Sequence, residues 1–533
     1  MAGAVPQPGV GLLPARAGGG GGVSAGAVPE REAEGEPPEG GAEEGGFEIW
    51  RRRIGLVAAP IVFALVWWAA SDLDRPAHRL AAVLATVVVL WVTEALPMAI
   101  TAFLGVAFAV VLGVAPASEA FAPFADPLVF LFIGTFIIAR AIFFHGLDRR
   151  FAYAILSLPG IGDSPVRVLI AYATVTACIS MWISNTATTA MMFPIGVSLL
   201  AVLEGKNAGV RTSGFATALL LSNAFAAAIG GVATPVGTPP NLIGIGFIRR
   251  EAGFDVTFFD WMLLGLPVVA LLLGASLLDL GRSRASGQAA LGGVAELVAR
   301  ERRTLGPWTR GQRNTLIAFG ATVVLWILPG IVALVAGQQH PLYVELTRAF
   351  PEGVVAVLGA SLLFLLPVNL ARHEFTLRWE EAIKIDWWIV FLYGGGLALG
   401  VLAFKTGLAE EIGRGLTSAL GVRSELGLIV LATAIATLLS EATSNTASAT
   451  MIVPVVIAIA RSAGVDPVLP AVAATMGASL GFMLPVSTPC NAIVYASGRI
   501  PLSAMIRHGI VLDVAGVLVI VAIVSLLGPL FRG

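Results

Sequence analysis

Two tripeptides, Ser184-Asn185-Thr186 and Ser444-Asn445-Thr446, break two long apolar runs near their middles. Each reads as the end of one half-helix and the start of another. The half-helix that follows presents unpaired N–H groups and the positive end of its dipole, an anion site made without a charged side chain. The half-helix that precedes presents unpaired carbonyls. With the Ser hydroxyl and Asn amide oxygens, these suit a small hard cation such as Na+. One tripeptide therefore offers cation ligands on one side and anion donors on the other. Two such tips entering from opposite faces could hold one substrate between them, and a dianion with a carboxylate at each end matches that near-symmetry. A single Ser-Asn-Thr in an apolar helix is most simply an interhelical hydrogen bond, and a single Thr-Pro-Pro a kink. Their paired occurrence favours a site.

The elements that must carry these tips are membrane helices. Of 533 residues, 57% are apolar and 13% charged, with mean hydropathy +0.86. Soluble domains average roughly 25% charged residues, so an ordinary soluble enzyme, a fibre and a disordered chain are excluded. A formal net charge of -1 provides no basic field for nucleic acid. Cys178 and Cys490 cannot make a disulfide framework, the five His have no ligand-like spacing, and no phosphate-binding GxxxxGK[ST] occurs. An enzyme is not expected. Neither tip contains Arg or Lys. Substrate charges at membrane depth are costly without compensation; bound Na+ supplies it, which points to cation-coupled symport. Glu441 is the nearest ionisable group, and a hairpin-packing hydrogen bond is preferred for it over a proton carrier.

Residues 1–46 are rich in Gly, Ala, Pro and Glu and read as a disordered cytoplasmic tail without signal-peptide character. A first transmembrane helix is expected over 47–72, a first repeat over 73–280 with a re-entrant hairpin at 165–203, a cytoplasmic loop over 281–313, and a second repeat over 314–533 with a hairpin at 425–460. The runs 213–247 and 466–497 read as broken spans, which leaves about eleven transmembrane helices plus two hairpins. With the N-terminus cytoplasmic, this count puts most Lys and Arg inside, including the seven Arg between 282 and 313. Arg249 and Arg250 fall outside, against the trend, and the C-terminus falls outside. Arg140 reads as a snorkelling side chain near a span end, and Cys490 as tolerated variation.

The two parts follow one script. Ser184-Asn185-Thr186-Ala187 recurs 260 residues on as Ser444-Asn445-Thr446-Ala447, and Asp126 to Gly134 matches Asp386 to Gly394 at the same offset. Pro235-Val236-Gly237-Thr238-Pro239-Pro240-Asn241 recurs at an offset of 250, as Pro485-Val486-Ser487-Thr488-Pro489-Cys490-Asn491. Three signatures in the same order mark an internal duplication. The expected topology puts an odd number of crossings between corresponding elements, so the repeats are inverted. Interrupted helices facing each other from inverted repeats point to the site of a secondary transporter.

On these motifs, with Thr93-Glu94-Ala95-Leu96-Pro97 and Ser440-Glu441-Ala442-Thr443, residues 50–531 resemble the divalent anion/sodium symporter family of dicarboxylate, citrate and sulfate transporters. The resemblance implies an all-α polytopic membrane protein, a homodimer with a scaffold domain and a mobile transport domain in each protomer, and elevator-like movement. It implies one sodium site from Ser180, Ser184, Asn185 and Gly237 and a second from Ser440, Thr443, Asn445 and Ser487, so at least two Na+. It also implies that Asn185, Thr186, Asn445, Thr446, Thr488 and Pro489 contact substrate carboxylates. Thr443 and Ser487 are expected to act through backbone carbonyls. The function expected is sodium-coupled import of a small dicarboxylate of the succinate, malate or fumarate class across the plasma (inner) membrane. A sodium-independent exchanger or a tricarboxylate or sulfate carrier of the same fold is the alternative, and an ion channel a distant one.

Overall fold

The computed structural model describes residues 46–69, 73–161, 164–206, 214–282 and 293–531. The expected tail therefore lies outside the described residues, except for Gly46, which opens the first helix. The chain starts with α1 (Gly46–Ala69), α2 (Arg75–Thr93) and α3 (Met98–Val111), then a short α4 (Ala117–Ala120). α5 (Pro127–Phe144) and α6 (Leu147–Leu156) lead to a helical hairpin, α7 (Pro165–Ser180) and α8 (Asn185–Lys206). An interrupted pair follows, α9 (Gly214–Gly231) and α10 (Pro239–Phe247), and then the long α11 (Phe258–Arg282). Within the expected 281–313 loop lies α12 (Val294–Thr304), and α13 (Arg310–Ala336) begins before its end.

The second series is α14 (Pro341–Ala349), α15 (Glu352–Leu365), the small β1 (Pro367–Asn369) and β2 (Glu374–Phe375) pair, and α16 (Trp379–Ala382). α17 (Trp387–Lys405) and α18 (Leu408–Leu420) then repeat α5 and α6. The hairpin α19 (Glu425–Ala442) and α20 (Asn445–Ser462), the interrupted pair α21 (Val468–Gly477) and α22 (Pro489–Tyr495), and the long α23 (Leu502–Phe531) complete the script. Ten of these helices are long and apolar enough to cross a bilayer, and α14 and α15, bent by 59°, make an eleventh when taken as one span. The protein is an all-α polytopic membrane protein.

Local sequence explains the ends. Proline in the first turn starts α2, α5, α7, α10, α14 and α22, where no N–H is needed. Gly146 (φ 64°) and Gly407 (φ 77°) turn the chain from the long α5 and α17 into the amphipathic α6 and α18. Thr309 and Gln312 form a reciprocal capping box on α13. Glu94 closes α2 in the left-handed region (φ 48°) and ion-pairs with Arg51, so the Thr93–Pro97 motif is a strained turn held from α1.

Packing interleaves the two series. α7 lies along α9, as α19 lies along α21. The short helices cross over: α10 packs on α20 and α21, whereas α22 packs on α8 and α9. Gly244 of α10 sits against Thr475, and Phe225 of α9 meets Phe482 edge-on, with ring centroids 5.3 Å apart.

Both arginines that ran against the charge trend have a partner. Asp126 is buried, caps α5 through the Leu128 N–H (3.0 Å), and accepts from Arg249 (2.6 Å), Arg250 (3.3 Å) and the Tyr393 hydroxyl (3.3 Å). Arg140 bonds Glu381 at 2.5 Å, which holds its charge more specifically than snorkelling does. Breaking a buried ion pair costs about 3–5 kcal/mol when the partner is left dry. Here the arginines keep 29% and 33% of their side-chain surface exposed. Asp126→Ala is therefore expected to lower stability in detergent by about 1–3 kcal/mol. The substrate KM should not change, because Asp126 touches neither tip; an unaltered thermal midpoint would refute the ion cluster's structural role.

Candidate functional site

The two hairpin tips repeat one hydrogen-bond pattern. α7 ends at Ser180, whose hydroxyl lies 2.8 Å from Asn185 Oδ1 and 2.7 Å from the Ala227 carbonyl. α19 ends two residues beyond Ser440, whose hydroxyl lies 2.8 Å from Asn445 Oδ1 and 2.9 Å from the Ala478 carbonyl. In each case one hydroxyl proton faces two acceptors, so one oxygen–oxygen approach has no proton between its partners. Such a surplus of oxygen over donors suits a hard monovalent cation.

The loops that break the α9–α10 and α21–α22 pairs close over these oxygens. Asn241 donates its amide to the Gly231 (2.9 Å) and Thr234 (2.8 Å) carbonyls. Asn491 does the same to Gly481 (3.0 Å) and Leu484 (2.9 Å), each partner displaced by 250 positions. Both asparagines are buried, and each ties the two ends of its own loop together. The bends need glycine. A Cβ on Gly231 would meet Asn185 Oδ1 at 2.3 Å. A Cβ on Gly237 would meet the Gly231 carbonyl at 2.5 Å and the Met181 carbonyl at 3.0 Å. At Gly481 it would face Ser440 Oγ, Asn445 Oδ1 and the Ser440 carbonyl at 3.2, 3.3 and 3.5 Å, a cradle of three oxygens.

Other candidates have separate tasks. The Ser184 and Ser444 hydroxyls accept from the third-position N–H groups of α8 and α20, at Ala187 (3.3 Å) and Ala447 (3.2 Å). Thr488 caps α22 in the same way through the Asn491 N–H (3.1 Å). The Thr443 hydroxyl lies 2.8 Å from the Leu439 carbonyl and 2.9 Å from Ser448 Oγ, so its side chain is engaged within its own hairpin. Ser487 donates to Glu441 Oε2 at 2.6 Å, and Glu441 Oε1 accepts from the Met483 N–H at 2.8 Å. Glu441 is thus the packing tie expected of it, joining its hairpin to the cation-candidate loop. Asn445 also donates to the Ser479 carbonyl at 3.1 Å, next to a buried Ser479 hydroxyl without a hydrogen-bond partner among the described residues.

The first tip meets the second series where the two series cross. The buried Cys490 thiol lies against the hydroxyls of Thr186 and Thr189, which brings the first tip to the Thr488-Pro489 turn of the second series. Thr186 and Pro489 are exposed, Asn185 and Asn445 half-buried, and Thr446 and Thr488 buried. Among the described residues, no Lys or Arg hydrogen-bonds to residues 180–189 or 440–450. Four helix N-termini, those of α8, α10, α20 and α22, supply the available positive ends. Sequence reasoning missed the Ala227 and Ala478 carbonyls, since every residue type has one. It also missed the clamping role of Asn241 and Asn491, which their conserved spacing at an offset of 250 already contained.

Known proteins resemble this chain along most of its length. Residues 48–531 match the family described as the sodium:sulfate symporter transmembrane region. The sodium-dependent dicarboxylate transporter SdcS of Staphylococcus aureus is 30% identical over 488 residues, covering 90% of this chain and 92% of that one. The transporter of the same name from Staphylococcus saprophyticus is 32% identical over 484 residues, covering 89% and 91%. The crystal structure of the Alcanivorax borkumensis YdaH transporter aligns with a TM-score of 0.50 at 14% identity, covering 77% of this chain and 86% of that one. With the family match spanning almost all of the described membrane helices, the chain belongs to the sodium:sulfate symporter family, the divalent anion/sodium symporters, and is a membrane transporter rather than an enzyme.

Proposed function

We propose that this protein imports a small dicarboxylate of the succinate, malate or fumarate class by symport with Na+. The observation that carries the proposal is the duplicated oxygen cluster, Ser180–Asn185–Ala227 and Ser440–Asn445–Ala478, at hairpin tips to which, among the described residues, no basic side chain hydrogen-bonds. The names of the two staphylococcal relatives support the same reading. Ser180, Ser184, Asn185 and Gly237 would hold one Na+, and Ser440, Thr443, Asn445 and Ser487 the other. Na+ supplies positive charge next to the substrate. Asn185, Thr186, Asn445, Thr446, Thr488 and Pro489 bind and orient the carboxylates, aided by the N-termini that follow Ser184, Ser444 and Thr488. The two series act as inverted repeats in a homodimer, with the hairpins and interrupted helices moving as an elevator against the remaining helices. The N-terminus is cytoplasmic and the C-terminus outside, in the plasma membrane.

Three Na+ with a dianion would carry one net positive charge, worth about 2.3 kcal/mol per 100 mV of membrane potential. Uptake of radiolabelled succinate into proteoliposomes, with an inward Na+ gradient and with K+ in its place, tests this. Sodium-dependent uptake is expected. Equal uptake in both salts would overturn the coupling. Uptake of citrate or sulfate in place of succinate would move the substrate within the family, and counterflow without sodium would make the protein an exchanger.

A further inference from the structure

A cavity of about 350 Å³ lies between α2 on one side and α17, α18 and α20 on the other. No candidate sodium or substrate ligand lines it. Its far wall is closely packed. A Cβ on Gly396 of α17 would meet Thr450 Cγ2 of α20 at 2.3 Å, and one on Gly413 of α18 would meet the Ala458 carbonyl at 2.5 Å. The void separates this seam from the face of α2 that carries Ala81, Ala85 and Val88. Of the lining side chains, only Trp91 and Thr450 have a polar atom. Both are satisfied within the protein, by the Met98 carbonyl (3.1 Å) and the Thr446 carbonyl (2.8 Å). Water finds no partner in such a cavity, and an empty one forfeits the dispersion contacts of a close-packed interior. Val88 and Ile412, 39% and 38% exposed, edge the cavity, so it opens at the protein surface within the span of α2. At that depth the surrounding medium is acyl chain.

A polar cavity of about 430 Å³ lies at the ends of the same two helices, α2 and α17, and Asp74, Arg75, Glu119, Lys405 and Thr406 line it. Asp74 precedes Ala81 by seven residues and Thr406 follows Ala403 by three. Each helix therefore runs from one cavity towards the other along a single face. Arg75 is exposed and has no ion-pair partner among the described residues, and Lys405 pairs with Glu119. Asp74 stands at the N-cap of α2 without a side-chain capping bond. Two positive and two negative side chains complement a headgroup with one phosphate and one ammonium. The phosphate suits Arg75 and Lys405, and the ammonium N–H groups suit Asp74 and Glu119. We propose that the two cavities form one site for a zwitterionic phospholipid of the phosphatidylethanolamine type. One acyl chain lies between α2 and α20, and the headgroup is held at the ends of α2 and α17. The chain braces α20 where its ladder is broken, because Pro454 lines the cavity and has no N–H for the Thr450 carbonyl. None of this depends on which ion or substrate the hairpin tips bind.

The test uses the full chain in phosphatidylcholine proteoliposomes that contain a little phosphatidylethanolamine with a photoreactive diazirine in one acyl chain. Labelled peptides are mapped by mass spectrometry. Labelling is expected over residues 81–91 and 450–458, and also at Leu518 and Leu526, two exposed apolar residues of α23 that report ordinary lipid contact. Unlabelled phosphatidylethanolamine should displace the probe from the first two segments at about a tenth of the concentration needed with phosphatidylglycerol, which has no ammonium group, a difference of about 1.4 kcal/mol. Ala85→Phe fills the cavity and should remove labelling at 450–458 while α23 stays labelled. Arg75→Ala, at an exposed position, should abolish the preference between the two lipids, and it keeps the test decisive if Ala85→Phe does not fold. Amide hydrogen exchange over 450–458 in delipidated protein should slow on adding phosphatidylethanolamine and not on adding phosphatidylglycerol. Labelling of α23 alone, the result if a second copy of the chain covers α2, would overturn the proposal. Equal displacement by the two lipids would do so too, as would a preference that survives in Arg75→Ala.

Discussion

Asn185→Ala and Asn445→Ala are each expected to reduce sodium-driven uptake by at least about 100-fold, a loss of about 2.7 kcal/mol or more in transition-state stabilisation. Each asparagine holds its amide oxygen 2.8 Å from a serine hydroxyl at the preceding helix end, while its backbone begins the next helix. The side chain thus stands among the cation-side oxygens, and its main chain among the anion-side N–H groups. Alanine removes the oxygen and leaves the helix start intact. Folding should survive, because the hydroxyls of Ser180 and Ser440 retain the Ala227 and Ala478 carbonyls as acceptors. A lost hydrogen bond of this kind costs about 0.5–1.5 kcal/mol in stability, far less than the effect on uptake. The check is paired: gel filtration and thermal melting of the purified variants beside their uptake. Full sodium-dependent uptake by both variants would remove the asparagines from the site.

Much of this was legible because the duplication repeats chemistry as well as hydropathy. The offsets of 260 and 250 residues that link the motifs also link their hydrogen bonds, Ser180 to Asn185 with Ser440 to Asn445, and Asn241 to Gly231 with Asn491 to Gly481. Side chains with one obvious use at a broken helix carry that signal. Main-chain partners do not, which is why Ala227 and Ala478 were invisible. Long-range charge pairing was equally hidden. Arg249 and Arg250 look misplaced when arginines are counted by side, and only the fold brings Asp126 between them, more than a hundred residues away in sequence. The loop expected over 281–313 contains α12, a helix with three arginines and two glutamates and therefore no apolar run to read.

The loop glycines separate folding from function more sharply than the asparagines do. Gly231→Ala is expected to fold and to raise the half-saturating sodium concentration more than tenfold, or more than about 1.4 kcal/mol in binding. The added methyl would stand 2.3 Å from Asn185 Oδ1, and the next nearest atoms are Nδ2 and Cγ of the same side chain. What must yield is the free end of an amide, which can turn about its own bonds at a cost of about 0.5–1.5 kcal/mol. Turning it takes Oδ1 away from Ser180 and disperses the oxygen cluster, so the strain is discharged into the site and the fold is spared. Gly237→Ala should behave differently. Its methyl would meet the Gly231 carbonyl at 2.5 Å, and main chain cannot turn aside, so lost stability should accompany lost transport. Gly481→Ala is the milder counterpart, with Ser440 Oγ and Asn445 Oδ1 of the second cluster at 3.2 and 3.3 Å. Sodium titration of uptake beside thermal melting orders the three. If Gly231→Ala melts early but keeps its sodium affinity, Asn185 is only packing, and the first oxygen cluster is not where the cation binds.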